Sequence, residues 1–348
     1  MDIHKPNQQW AATLSIVGLL CSFSQHLDAK VARAHVVSRF RPNLEWDAAL
    51  AQLAVTPGVG AVAFDGSKVI TVDRNADRYL LASFTPIGPT DKQAAKDPKA
   101  DPKVDDGPFG DSESRPFTAD VAGTRRFMGV VPFVRSTLLF LESTDSRIVA
   151  VESASGFFVS QRAIVLDKLK PARDSRGEPT NLETATFRQH FMKAFGHIND
   201  GTIKLSGLAA LPPAWHDGDA HQFLVASRIP GYMLMTMHCL EAELSQCRIV
   251  RGCFAEGIGS ILPDSVTGVA VSAERRLVLV GDRHRAQLIV FRFESCHNIV
   301  KVGEIPLPIQ LKELGNVMID SDDRLWVSTL LPDDYRNANV FVWDSKHW

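Results

Sequence analysis

One unit, written twice near the end of the chain, constrains the fold more than any other feature. Its first copy runs from Pro263 to Glu294. Val266-Thr267-Gly268-Val269-Ala270-Val271 is followed by the polar turn Ala273-Glu274-Arg275-Arg276. Leu277-Val278-Leu279-Val280 comes next, and then Leu288-Ile289-Val290-Phe291. Its second copy opens on Leu314-Gly315-Asn316-Val317-Met318-Ile319. It turns at Ser321-Asp322-Asp323-Arg324 and resumes with Leu325-Trp326-Val327 and Val340-Phe341-Val342-Trp343. Runs of β-branched and aliphatic residues between polar turns read as short strands. A strand-turn-strand unit repeated at a period of tens of residues reads as one blade of a β-propeller.

The same grammar extends backwards. Val59–Phe64 and Lys68–Val72 flank Asp65-Gly66, a strong hairpin signal. Arg78–Phe84 adds a third strand. Residues 128–166 hold four strands, and 206–250 hold another blade. The expected fold is therefore all-β, a propeller of five to six blades over residues 35–348, with a degenerate sixth blade sought in 150–204. The last blade shows three strands. The isolated run His35–Phe40 is expected to supply its fourth beside Val340–Trp343, closing the ring and covering sheet edges.

Two stretches break the pattern. Residues 86–120 are rich in Pro, Asp and Lys and read as a flexible insertion. In 179–198, Thr180-Asn181-Leu182-Glu183 has capping-box spacing, and Phe187, Phe191, Phe195 and Ile198 recur at helical spacing. This predicts one inserted amphipathic helix with its aromatic stripe packed on the propeller.

Residues 1–34 read as a signal peptide or an N-terminal anchor helix. Lys5 precedes the apolar run Trp10–Phe23, and Ala32-Arg33-Ala34 has the form of a cleavage site. Export to the periplasm or extracellular space is the expectation, with no transmembrane span in the mature chain. Cysteine usage fits it: Cys239, Cys247, Cys253 and Cys296 form an even set, and in an oxidising compartment Cys247 is expected to pair with Cys239 or Cys253. In a reducing one they would be buried thiols.

The repeats at 263–293 and 314–344 resemble blades of the gluconolactonase, senescence-marker and strictosidine-synthase-like superfamily. The run from Asn316 to Asp344 also resembles the last blade of the yellow and royal-jelly proteins. The first resemblance implies a divalent cation at the hub, held at the starts of inner strands, and a lactonase or arylesterase reaction. Matched residue by residue, Thr267 stands at the asparagine of the family's Asn-Gly pair, and Asn316 at the aspartate that opens the last blade. Asp264 lies nearby, and no glutamate matches in the first blade. A hard dication needs several oxygen ligands with carboxylate charge. Thr267, Asn316 and Asp264 are thus the metal candidates of a modified hub. No cofactor is expected, with calcium as the alternative.

A second constellation is Met233, Met235 and Met237, which alternate along one run and would share a face, with His238 and Cys239 beside them. Soft ligands of that kind suit copper; the plainer reading is methionine filling core. The sequence holds no nucleophile elbow, phosphate-binding glycine loop or zinc-protease motif. A net charge of −2 gives no bulk attraction to nucleic acid. The leading expectation is therefore an exported, non-catalytic binding or interaction module, meeting another protein through its loop face. The alternatives are a lactonase-like or arylesterase-like hydrolase and a copper-associated periplasmic propeller.

Overall fold

The structure is a computed structural model. It describes residues 44, 51–53, 59–64, 68–73, 78–84, 109–116, 127–133, 136–142, 147–152, 158–165, 205–216, 221–228, 233–239, 246–253, 255–256, 262, 265–295, 298–308, 313–329 and 340–348. The putting-together of these segments is a five-bladed propeller. Blade one is β2 (Val59–Phe64), β3 (Lys68–Asp73), β4 (Arg78–Phe84) and β5 (Phe109–Pro116), with β1 (Ala51–Leu53) preceding it. Blade two is β6 (Phe127–Pro132), β7 (Thr137–Glu142), β8 (Arg147–Glu152) and β9 (Phe158–Val165). Blade three is β10 (Leu205–Ala210), β11 (His221–Ser227), β12 (Leu234–Cys239) and β13 (Gln246–Gly252), followed by the short β14 (Ala255–Glu256). Blade four is β15 (Val266–Ser272), β16 (Leu277–Asp282), β17 (Gln287–Ser295) and β18 (Asn298–Pro306). Blade five is β19 (Leu314–Ile319), β20 (Leu325–Thr329) and β21 (Val340–Trp343).

The first strand of each blade stands at the axis. Each of β2, β6, β10, β15 and β19 packs against the next, and β19 returns to β2, so the ring closes. Alternation explains why the strands are apolar on both faces. Leu277 and Leu279 of β16 enter the core shared with blade five, while Val278 and Val280 enter the core shared with blade three. In β7, Leu138 and Phe140 face blade one, and Leu139 and Leu141 face blade three. Five such cores lie between the five neighbouring pairs of blades. The smallest, around Trp326 and Val69, seals the last blade to the first.

Closure works as expected, but with a different strand. β1 pairs antiparallel with β21, with Ala51 opposite Val342 and Leu53 opposite Val340. The run His35–Phe40 lies outside the described residues. β1 sits in an Ala-rich run whose composition favours helix, which hides it from a propensity argument.

A second difference concerns the 86–120 insertion. Residues 109–116 within it form β5, the outermost strand of blade one, paired to β4 with Leu81 opposite Glu113. An outermost strand joins its sheet by one edge only, so its polar sequence suffices. The expected helix at 179–198 and the 1–34 segment lie outside the described residues. Among the described residues no helix is long and apolar enough to cross a membrane.

Candidate functional site: the two ends of the axial channel

Every inner strand carries an irregularity near its start. The pairing slips between Val59 and Ala61, Phe127 and Gly129, Leu205 and Gly207, Thr267 and Val269, and Leu314 and Asn316. A bulge bends its strand and sharpens the local twist. Here it swings five backbones together into a throat. Glycine is required where they meet. A Cβ on Gly207 would lie 2.7 Å from the backbone of Gly268, and one on Gly268, whose φ is +65°, would lie 2.8 Å from the Val317 nitrogen.

Two of the three hub candidates sit in this throat, and their polar atoms are engaged. Thr267 Oγ1 donates to the Gly315 carbonyl at 2.6 Å, tying blade four to blade five. Asn316 Nδ2 donates to the Met128 carbonyl at 3.0 Å, and its Oδ1 accepts from Val317 N at 2.6 Å. Met128 belongs to blade two, so the Asn316 amide reaches past blade one to a strand that does not neighbour its own. Asn316 is 2% exposed and Thr267 is fully buried. Inner strands cannot form ladders with one another at the axis, so these side chains stitch them instead. Ser206, the bulge residue of β10, is fully buried with no hydrogen-bond partner for its Oγ among the described residues. Asp264 lies outside the described residues. Among the described residues no group of three His, Cys, Asp or Glu side chains is placed to hold a metal ion.

Beyond the throat, the same five strands diverge around a cavity of about 110 Å³. Each contributes three consecutive residues, such as Val62–Phe64 from β2, Leu208–Ala210 from β10 and Val317–Ile319 from β19. All fifteen lining residues are Val, Ala, Leu, Ile, Met, Phe or Pro. Hydrogen bonding in the cavity therefore belongs to the main chain. Each inner strand is paired on its outer edge alone, which leaves amide and carbonyl groups of its other edge facing the axis. Such groups need water or a ligand to satisfy them.

At this wider end the blades are tied off the axis, by their turns. Ser272 Oγ donates to Asp323 Oδ1 at 2.6 Å, and Arg275 Nε lies 2.6 Å from Asp323 Oδ2. The Arg275 guanidinium also donates to the Trp348 carbonyl and stacks 4.2 Å from the Trp348 ring centroid. Trp348 Nε1 in turn donates to the Asp323 carbonyl at 2.8 Å. Burial pushes the Asp323 carboxyl above its ordinary range, against the opposing pull of Ser272 and Arg275. The turn that holds Asp323 is built on Asp320, whose carboxylate accepts from Arg324 Nε at 2.7 Å and Trp326 Nε1 at 2.8 Å.

The methionine constellation is divided rather than gathered. Met235 and Met237, with Cys239, are buried in the core between blades two and three. Met233 precedes β12 and packs with blade four, so the three do not share one face. His238 is half-buried and alternates away from Met237. Residues one apart along a strand point to opposite faces, which separates imidazole from thioethers. Cys239 and Cys247 form a disulfide with a Cα separation of 4.5 Å, directly opposite each other on β12 and β13. Cys253 is disulfide-bonded as well.

No protein-family model and no curated protein matches the chain. Among solved structures, it is similar to a glutaminyl cyclase of Myxococcus xanthus, with a TM-score of 0.45 and 8% identity over 84% of this chain and 92% of that one. It is also similar to a virginiamycin B lyase of Staphylococcus aureus, in a catalytically inactive form with quinupristin, with a TM-score of 0.37 and 10% identity over 84% of this chain and 73% of that one. Identities this low speak to fold and not to substrate. Their names, a cyclase and a lyase, are those of enzymes, in contrast with the expectation of a non-catalytic interaction module.

Proposed function

We propose that this chain is a hydrolase of the lactonase and arylesterase kind, with a modified hub, acting on a small uncharged ester or lactone held in the axial cavity. The observation that carries the reading is the cavity wall. Fifteen residues, none with a polar side chain, line a space of about 110 Å³, with main-chain groups as its hydrogen-bonding complement. No charged side chain lines it, so an ionic substrate would lose its hydration without a counter-charge. An ester or lactone presents a hydrophobic body and one carbonyl, which matches such a wall. Size narrows the class: an apolar cavity of roughly 150 Å³ takes benzene, so this one suits a short aliphatic group better than an aryl ring.

The resemblance of the two terminal repeats to lactonase-type blades supports the same class of reaction. A metal does not enter the account through Thr267 and Asn316, whose oxygens are committed to Gly315 and to Val317. Export accords with the Cys239–Cys247 disulfide.

The test is hydrolysis of short-chain esters and small lactones by the purified protein, beside Ala210→Trp. Ala210 lines the cavity and is exposed, so a large side chain there fills the mouth without entering a core. Turnover that falls at least ten-fold in A210W at unchanged melting temperature is expected. Absence of turnover in both proteins, or equal turnover, contradicts the reading.

A further inference from the structure

We propose that residues 246–253 and 255–256 form a belt across the outside of three blades, and that oxidation of Cys239 and Cys247 fastens it. Outer strands of neighbouring blades ordinarily diverge, because each blade is twisted and radiates from the axis. Here β13 departs from that rule. It pairs antiparallel with β12 of its own blade and parallel with β9 of blade two, with Gln246 opposite Ala163, Cys247 opposite Ile164 and Arg248 opposite Val165. The two blades thereby become one eight-stranded sheet. The chain then continues into β14, which pairs parallel with β18 of blade four, Ala255 opposite Ile299 and Glu256 opposite Val300. Residues 246–253 and 255–256 thus hydrogen-bond to blades two, three and four, and cover the outer edges of β9 and β18.

Neither attachment is strong alone. Both are short parallel pairings, which are less stable per residue than antiparallel ones. The cysteines sit where the belt needs holding. Cys247 occupies the middle position of the β13–β9 pairing, and its disulfide ties that position to Cys239 of β12. Cys253 lies between β13 and β14, is disulfide-bonded, and donates its N–H to the Leu234 carbonyl at 2.9 Å. The belt is therefore held at its start and at its middle by sulfur chemistry. Cys239 and Cys247 are fully buried, so the bond forms as the blades assemble. Exchange with a low-molecular-weight disulfide accounts for it: the two thiols lose two protons and two electrons, and the disulfide reagent is reduced to two thiols.

Hydrogen exchange of the full chain read by mass spectrometry tests this, comparing the oxidised protein with the dithiothreitol-reduced protein and with the double variant Cys239→Ala, Cys247→Ala. Amides of 246–256, 163–165 and 299–300 are expected to exchange at least ten-fold faster in both reduced forms. Amides of β2 and β15, at the axis, are expected to be unchanged. Uniform acceleration through every blade overturns the proposal, since the disulfide would then hold the whole fold. Unchanged exchange in the belt overturns it equally. So does a double variant that does not fold, because the ring would then depend on the belt.

Discussion

The two ends of the axial channel are made by the same five strands, a few residues apart, and behave as opposites. At the throat, bulges bring backbones to within van der Waals contact of Gly207 and Gly268, and the side chains of Thr267 and Asn316 bridge blades directly. At the cavity end the strands spread, their side chains are apolar, and the tie between blades four and five moves out to Ser272, Arg275 and Asp323. Closing a ring at one end through neutral amides and hydroxyls leaves the other end open for a ligand. The polar residues of an inner strand are thus the structural ones, and its apolar residues make the site.

The largest expected effect belongs to the throat. A Cβ on Gly281, in β16 beside Thr267, would lie 2.1 Å from the Thr267 carbonyl oxygen. Backbone cannot yield as a flexible side chain does, so Gly281→Ala is expected to cost about 3 kcal/mol or more in a urea melt, or to prevent folding. Next comes Asn316→Ala. It strips the buried Met128 carbonyl and Val317 N–H of their partners, a loss of about 1–3 kcal/mol. A stability unchanged by that substitution would show that the throat is held by backbone packing alone.

Titration separates the two ends further. The throat stitches are neutral, whereas the clamp at the wide end contains Asp323, which burial raises above its ordinary range despite Ser272 and Arg275, with Glu274 adding to the rise. The folded protein therefore binds this proton more tightly than the unfolded chain. The contribution of the group is greatest at low pH and falls as pH climbs from the ordinary carboxylate range through the raised value. Asp323→Asn is expected to flatten that part of the stability profile, and N316A to leave it as it is. A profile with the same slope in D323N would show that other carboxylates set it. The smallest effect on stability is expected from Ala210→Trp, within about 0.5 kcal/mol as for other exposed positions, although it is the variant expected to lower turnover at least ten-fold.

Much of the fold was legible because its signal is local. Alternation in Leu277–Val280 and Leu138–Leu141 names strands buried on both faces, and Gly207, Gly268 and Gly315 mark inner-strand starts. β5 and β1 escaped because an outermost strand needs little apolar surface and Ala51-Gln52-Leu53 lies in a helix-favouring run. The site was legible only in part. Thr267 and Asn316 could be placed at the channel from the repeat, but the amide of Asn316 bonds a carbonyl 188 residues away, a pairing that no spacing encodes. The cavity left no motif, because runs such as Val62-Ala63 and Ala209-Ala210 look like any buried strand. The spread of the methionines over two cores likewise depends on where β12 begins.

The division of the channel is read most directly by a methyl-detected NMR titration of the full chain with a small aliphatic lactone. Methyl shifts are expected at Val62, Val130, Leu208, Met318 and Ile319, which line the wide end, with the Thr267 methyl at the throat unmoved. Shifts centred on Thr267, or absent from the five cavity residues, would contradict the division of the channel into a sealed throat and an open site.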